Sequence, residues 1–382
     1  MIVPTNDIVI PPGPAANTSN SGCEPADFAP APAEPAIALI QRGTCTLLVK
    51  VANADAAGYD AVLFFNEGQP GRTDIPAVTV GAPADIPVNG LTFADGAALY
   101  AANQVGPVTG RVFALVEVDL ERETVNVIAD SPKGKNADEV VVVGAHLDSV
   151  LAGPGINDNG SGSSTILEIA EEMAELGYTE KLRRQVRFAF WGAEEFNLLG
   201  SEYYVGQLNA EEQAEIYANL NFDMVGSPNY VRFVYDGDGS DTPTAGPPGS
   251  AEIEKIFTDY FASQGLASEP TAFDGRSDYG PFIAVGIPAG GLFSGAEGIK
   301  TPEQAAVYGG TAGVAYDPCY HQACDTINNL STKALFEMGD AAAHATLVLA
   351  KSKTGLFEDG SRVQQRSASG VEMANKGHVA VR

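Results

Sequence analysis

Basic side chains are scarce in this chain of 382 residues: 22 Lys and Arg stand against 49 Asp and Glu, a net charge of −27. So acidic a surface repels phosphate backbones and anionic lipid heads, which makes nucleic acid and membrane surfaces poor partners. No run of about 18 apolar residues is present, so no transmembrane helix is expected. Met1 to Pro11 lacks the basic flank and apolar stretch of a signal peptide. No internal repeat is visible. The serine-rich GSGSS after Asp158 supplies no Gly-x-Ser-x-Gly elbow, which disfavours a serine hydrolase. The four cysteines fall in two sequence-local pairs, Cys23 with Cys45 and Cys319 with Cys324. Even counts at short separations suit disulfides in an oxidising compartment, with four buried thiols as the alternative. The expectation is a secreted protein, monomeric, whose export segment lies outside this chain.

The chain does have apolar surface in ordinary supply, 45% of its residues, enough for a sizeable core in one large or two smaller domains. Residues 1–20 lack periodicity and are expected to be an irregular lead-in. Residues 21–109 form a small α/β module. Short apolar runs at 37–43, 61–67 and 75–81 predict strands, and Leu48, Val51, Ala52 and Ala56 fall near helical spacing between them. That module contains no cluster of catalytic residue types. From 110 to 352, β-branched strands alternate with amphipathic helices. Strands are expected at 111–120, 124–130, 139–148, 186–192, 218–226, 230–237 and 287–295, and helices at 163–176, 250–264 and 333–351. In the first helix Ile166, Ile169, Met173 and Leu176 make one apolar stripe. The fold class predicted is α/β, a doubly wound, mixed but mainly parallel sheet with a smaller α/β domain. Residues 353–382 are expected to be a mobile tail.

In such sheets ligands bind beyond the carboxyl ends of the strands. Those ends carry His146 and Asp148, then Glu194 and Glu195, then Asp223; Asp158 follows in GINDNGSG and His321 in CYHQAC. Imidazole with carboxylate and no thiolate favours zinc over calcium or magnesium. Two histidines and three carboxylates exceed the needs of one tetrahedral zinc and match two zinc ions that share a carboxylate. Three negative charges against four positive ones would leave net charge to polarise a carbonyl. Each residue also has an ordinary reading. Asp158 could cap a helix, Glu194 and Glu195 could open a solvated one, and His344 and His378 read as structural and tail residues. The joint pattern is what points to a metal site.

The motifs VVVGAHLDSV, GINDNGSG, FAFWGAEEFNLLGS, LNFDMVGSP, FDGRSDYGPF, GGLFSGA and CYHQACD closely resemble the secreted bacterial di-zinc aminopeptidases of the Streptomyces type, from about Asn126 to Ala350. IALIQRGTCTLLVKVANADAAGYDAVLFFNE resembles the protease-associated (PA) domain, which implies a lid or substrate-access role. The likeness implies hydrolysis of the first peptide bond of peptides and protein N-termini by two zinc ions and a water between them. His146 and Asp223 would bind one zinc, Glu195 and His321 the other, and Asp158 would bridge. Glu194 would be the general base, with Glu195 facing the metal because neighbours at a strand end point opposite ways. Asp148 would orient the His146 ring, and Tyr320 would donate to the oxyanion. A Cys319–Cys324 bridge would fix the loop bearing Tyr320 and His321. Glu194 and Asp223, with backbone near Arg276, would hold the substrate ammonium. Met224, Gly275, Phe293 and Cys319 would line a pocket for Leu, Met or Phe.

Two departures from the family pattern stand out. The helical segment that normally precedes the catalytic strands is absent, so exposed apolar surface and unfolding below about 65 °C are expected. An acid used by some relatives for calcium is replaced by Phe336, leaving Asp340 alone, and no calcium is expected. A single-zinc glutaminyl cyclase shares the fold but would not need the full ligand set; cyclisation of N-terminal Gln without hydrolysis would mark it. A receptor that kept the fold and lost the metal should lack ligands, and none is missing here.

Overall fold

The short apolar runs become strands in both halves of the chain, which divides into two compact units, one of Met1–Arg122 and one starting at Glu123. The computed structural model describes residues 1–353 and Leu356, apart from 15–16, 77–79, 81–83, 116–120 and 136–137.

The first unit holds a parallel sheet of strands β1 (Ile2–Pro4), β2 (Ile37–Gln41), β3 (Ala61–Phe65) and β4 (Val88–Leu91), in that order. Helix α1 (Leu47–Ala56) starts at Thr46, whose hydroxyl accepts from the Val49 amide, and α2 (Phe93–Val105) starts in the same way at Thr92. Phe28, Ile40, Leu47, Val51, Val62 and Phe64 form a core between α1 and the sheet. The expected irregular lead-in therefore contributes an edge strand. Ile2 is buried and pairs with Ile37, a long-range contact that three residues of local pattern cannot reveal. The strand expected at 75–81 lies mostly outside the described residues. Cys23 and Cys45 form a disulfide.

The second unit is built on strands β5 (Val127–Asp130), β6 (Val140–His146), β7 (Gln185–Trp191), β8 (Ile216–Phe222), β9 (Phe233–Tyr235), β10 (Glu269–Thr271) and β11 (Ala289–Phe293). Their order among the described residues is β10-β9-β11-β8-β6-β7-β5. The four central strands run parallel, β5 is antiparallel to β7, and β9 is antiparallel to β11. Helices α3 (Gly160–Glu175), α6 (Ser250–Ser263) and α9 (Thr332–Lys351) cover one face. The other face is covered by α4 (Leu199–Gln207) and α7 (Gly280–Ala284), and α5 (Ala210–Glu215) and α8 (Pro302–Tyr308) lie in connections.

Strand β6 shows why its sequence is apolar without alternation. Val141 and Val143 join the core under α3 and α9, whereas Val140 and Val142 join the opposite core with Trp191 and Phe282. Each such burial contributes about 1.5–3 kcal/mol. On α3 the stripe Ile166, Ile169 and Met173 is buried as expected, but Leu176, the C-cap residue, is 61% exposed. Of the strand expected at 111–120, residues 116–120 lie outside the described residues and 111–115 form none. The expected tail, 353–382, lies outside them too, apart from Lys353 and Leu356.

Candidate metal centre and its surroundings

Strand ends and the loops beyond them bring the charged residues together. His146 ends β6, Asp223 follows β8, and Asp158 lies just before α3, whose N-cap is Asn159. The Asn159 side chain accepts from Gly162 and Met224 amides and donates to the Phe222 carbonyl, tying the start of α3 to the end of β8. Gly162 makes that approach possible: a Cβ there would stand 2.1 Å from the Phe222 oxygen. Glu194 and Glu195 open a single 3-10 turn, Glu194–Phe196, entered through Ala193 at φ +57°. A turn, and not strand alternation, thus sends the two side chains to different places. His321 sits at φ +56° in the loop closed by the Cys319–Cys324 disulfide.

Two groups of ligand atoms result, His146–Asp158–Asp223 and Asp158–Glu195–His321, the atoms within each lying within 4.8 Å of one another. His146 Nε2 is 3.3 Å from Asp158 Oδ1 and 3.3 Å from Asp223 Oδ1. His321 Nε2 is 3.1 Å from Asp158 Oδ2 and 3.1 Å from Glu195 Oε2. Zinc holds N and O ligands at about 2.0–2.2 Å, so the edges of its tetrahedron are about 3.3–3.6 Å. The His146 separations meet the lower figure and the His321 ones fall just below it, and Asp158 offers one oxygen to each group. Glu195 Oε1 and His321 Nδ1 are buried with no hydrogen-bond partner among the described residues. The donor set of imidazole nitrogens and carboxylate oxygens, with Asp158 shared between the two groups, fits two zinc ions. A further acidic group, Asp236, Asp238 and Glu254, has no histidine, and Asp236 is already satisfied by the amides of Gly239, Asp241 and Thr242.

Burial and mutual charge shift proton affinities throughout the cluster. Burial pushes the Glu194 carboxyl well above its usual range, and the charges of Asp223, Asp278 and Glu195 push the same way against His146. Burial and the Asp158 charge raise Glu195 to about 7. Burial pulls against both imidazolium ions, but surrounding carboxylates outweigh it, raising His321 to about 9 and His146 well above the ordinary value. Burial works to raise Asp158 too, yet hydrogen bonds from His146 and His321 hold it below the carboxylate range. Protons here occupy the place that divalent cations can take.

The surrounding contacts set Asp148 against the His146 ring and give it a second task. His146 Nδ1 lies 3.1 Å from the Asp148 carbonyl and 3.6 Å from its carboxylate. The Asp148 carboxylate also accepts the backbone amides of Glu194 (2.9 Å) and Glu195 (3.2 Å), so it holds the turn that aims both glutamates. Arg276 pairs with Glu297 and donates to the Tyr320 hydroxyl at 3.1 Å. Of the other residues expected around a substrate, Met224 is buried at φ +54°, Gly275 has φ +81°, Phe293 stacks on Phe233, and Cys319 is in its disulfide.

Sequence reasoning missed Ser277, whose hydroxyl donates to Asp223 Oδ2 at 2.6 Å and leaves Oδ1 facing His146. It also missed Asp278, buried against Ser201, with a pKa that burial raises to about 7. Their place in FDGRSDYGPF, after a glycine turn, was the available signal.

The model for peptidase family M28 matches residues 126–346, and that for the PA domain matches residues 5–99. An aminopeptidase of Pseudomonas aeruginosa is 50% identical over 362 residues, 92% of this chain and 65% of that protein. Leucine aminopeptidase 2 of Trichophyton rubrum is 46% identical over 342 residues, 88% of this chain and 66% of that one. The chain thus spans about two thirds of the length of these curated relatives. Among solved structures, a zinc aminopeptidase from Bacillus subtilis is similar, with 28% identity and a TM-score of 0.63 over 87% of this chain and 74% of that one. An aminopeptidase from Aneurinibacillus sp. strain AM-1 gives 28% identity and a TM-score of 0.61 over 83% and 69%. With more than half its length in that match and its ligand clusters intact, the chain belongs to peptidase family M28 and carries a PA domain.

Proposed function

We propose that this chain is the catalytic part of a secreted two-zinc aminopeptidase that removes apolar first residues, Leu, Met or Phe, from peptides and proteins, as its likeness to Streptomyces-type enzymes implies. Asp158 carries the proposal, because its two oxygens serve two separate ligand groups. In this reading His146 and Asp223 hold one zinc, Glu195 and His321 the other, and Asp158 joins them. Zinc bound there supplies Lewis acidity and lowers the pKa of water.

Glu194 takes a proton from the attacking water and passes it to the departing amine as the C–N bond breaks. Its carboxylate is thereby restored, and the water oxygen ends in the new carboxyl group. A proton affinity raised by burial suits that exchange. The Tyr320 hydroxyl donates to the carbonyl oxygen as negative charge develops there. Burial raises its pKa well above 10, opposed by the Arg276 charge, so it keeps its proton, while the guanidinium beside it strengthens it as a donor. The substrate ammonium lies against Glu194 and Asp223 near the Arg276 backbone, and Met224, Gly275, Phe293 and Cys319 receive the side chain. The name of the Trichophyton relative supports leucine at that position. The two disulfides support an oxidising compartment.

Hydrolysis of leucine p-nitroanilide beside its N-acetylated form, before and after chelation and zinc add-back, tests the proposal. Turnover of the free amine alone, lost with chelator and restored by zinc, is expected. Equal turnover of both substrates, or activity that survives complete zinc removal, would refute it.

A further inference from the structure

The loop before α3 and the disulfide loop near the C-terminus are far apart in sequence, yet each supplies ligand atoms to the same group. Something must fix one against the other to within a few tenths of an ångström. The Cys319–Cys324 bridge cannot do this, since it closes its loop only on itself.

The bonds that cross between the loops come from two aspartates flanking that bridge. Asp325 accepts the Asn157 amide at 3.0 and 3.2 Å on its two oxygens, and the Asp158 amide at 3.1 Å. Its carbonyl accepts the Ile156 amide. Asp317 accepts the Asn157 side-chain amide at 2.6 Å and the Cys319 backbone amide at 2.8 Å. The Asn329 side chain donates to both carboxylates, at 2.8 Å to Asp317 and 3.1 Å to Asp325.

Asp317 and Asp325 are 1% and 2% exposed, and neither has an ion-pair partner among the described residues. Burying a carboxylate without a cation costs several kcal/mol, so such a pair is a poor device for stability alone. It is a good device for position. Amides at three successive residues, 156–158, point at one acceptor residue, and that fixes the path of the backbone into the bridging carboxylate. The same bonds hold a loop in which His321 adopts a left-handed conformation, at a cost of about 1–3 kcal/mol.

We infer that Asp325 and Asp317, joined through Asn329 and Asn157, are positioning residues that lock the Asp158 loop to the Tyr320–His321 loop and so shape the Asp158–Glu195–His321 zinc site. The inference rests on the two-zinc reading above. It extends the functional constellation to residues that touch neither zinc nor substrate.

The test uses Asp325→Asn, which turns one acceptor oxygen into a donor facing an amide it had accepted, and Asn329→Ala, which removes the bridge between the aspartates at less risk to folding. Zinc affinity is measured by chelator competition, and kcat is followed as free zinc is raised. Both variants should bind one of the two zinc ions about 10–100-fold more weakly. Their kcat should be low at limiting zinc and recover partly with excess zinc, with KM staying close to the parent's. A merely structural role would lower the unfolding temperature of the metal-free chain and leave zinc affinity at the parent's value, and that result in both variants would overturn the inference alone. A parent chain that itself fails to bind two zinc ions would overturn the two-zinc reading and the inference together.

Discussion

In the proposed mechanism adjacent glutamates divide two tasks, and the division comes from backbone, not from chemistry. Glu194 and Glu195 are equally buried at 4% exposure, yet only Glu195 stands at ligand distance from His321. The nearest approach of Glu194 to His146 is 3.9 Å. The 3-10 turn held by Asp148 sets this difference. Glu194→Ala should therefore keep both zinc ions and lose about 10²–10⁴ in kcat, whereas Asp158→Ala should lose zinc as well. Metal analysis beside initial rates checks this; undiminished turnover in Glu194→Ala would remove the assigned base. Much of the ligand set was legible in the sequence, because apolar runs stop at or just before His146, Glu195 and Asp223, while Asp158 and His321 stood out by their loop motifs. The residues supporting it were less so. Ser277, Asp317 and Asp325 act through hydrogen bonds to side chains and amides 50 or more positions away, which no local pattern records.

Elements carry a similar mixture of ordinary and unexpected placement. Helix α1 turns its apolar side to the sheet of the first unit as its spacing suggests, but Lys50 is fully buried on it. Its ammonium donates to the Ser21 carbonyl and lies 3.6 Å from Cys23 Sγ, beside the Cys23–Cys45 disulfide. Burial lowers its pKa from 10.5 to about 8, against the opposing charges of Asp27 and Glu67. Between pH 8 and 10.5 the unfolded chain keeps a proton that the folded chain has released, so folding of this unit gains stability as pH rises through that window. The advantage in urea unfolding midpoint of Lys50→Met over the parent should be largest below pH 8 and shrink towards pH 10.5. A constant gap would show that Lys50 stays charged in the folded unit. The buried lysine was hidden from sequence reasoning because a lone basic residue in a helix is usually solvated.

At the scale of the whole second unit, the zinc site is where separate parts of the chain converge: the end of β6, the start of α3, the turn after β7, the end of β8 and the disulfide loop. Cations bound there bind the folded state and not the unfolded one, so their affinity adds to stability. At free zinc a thousandfold above the dissociation constant the gain is about 4 kcal/mol, which corresponds to about 10 °C in unfolding temperature for a unit of this size. Calorimetry before and after chelation should show that drop and its reversal by zinc. A change below about 2 °C would mean that the ligands are not joined through metal.

By itself the sequence determined the α/β class, the alternation of strands and helices and the residues of the ligand clusters, and it favoured two disulfides over four buried thiols. These depend on periodicity, on Cys spacing and on side-chain chemistry placed where strands end, all of which are local in the chain. Tertiary structure alone decided that Ile2–Pro4 joins a sheet, that Asp148 holds the glutamate turn and that Asp158 turns one oxygen to each cluster. It alone decided, too, that two aspartates beside a disulfide reach the amides of a distant loop. Those features arise when closure of the sheet brings remote segments within hydrogen-bond distance, and the energy that selects them appears only once that closure has occurred.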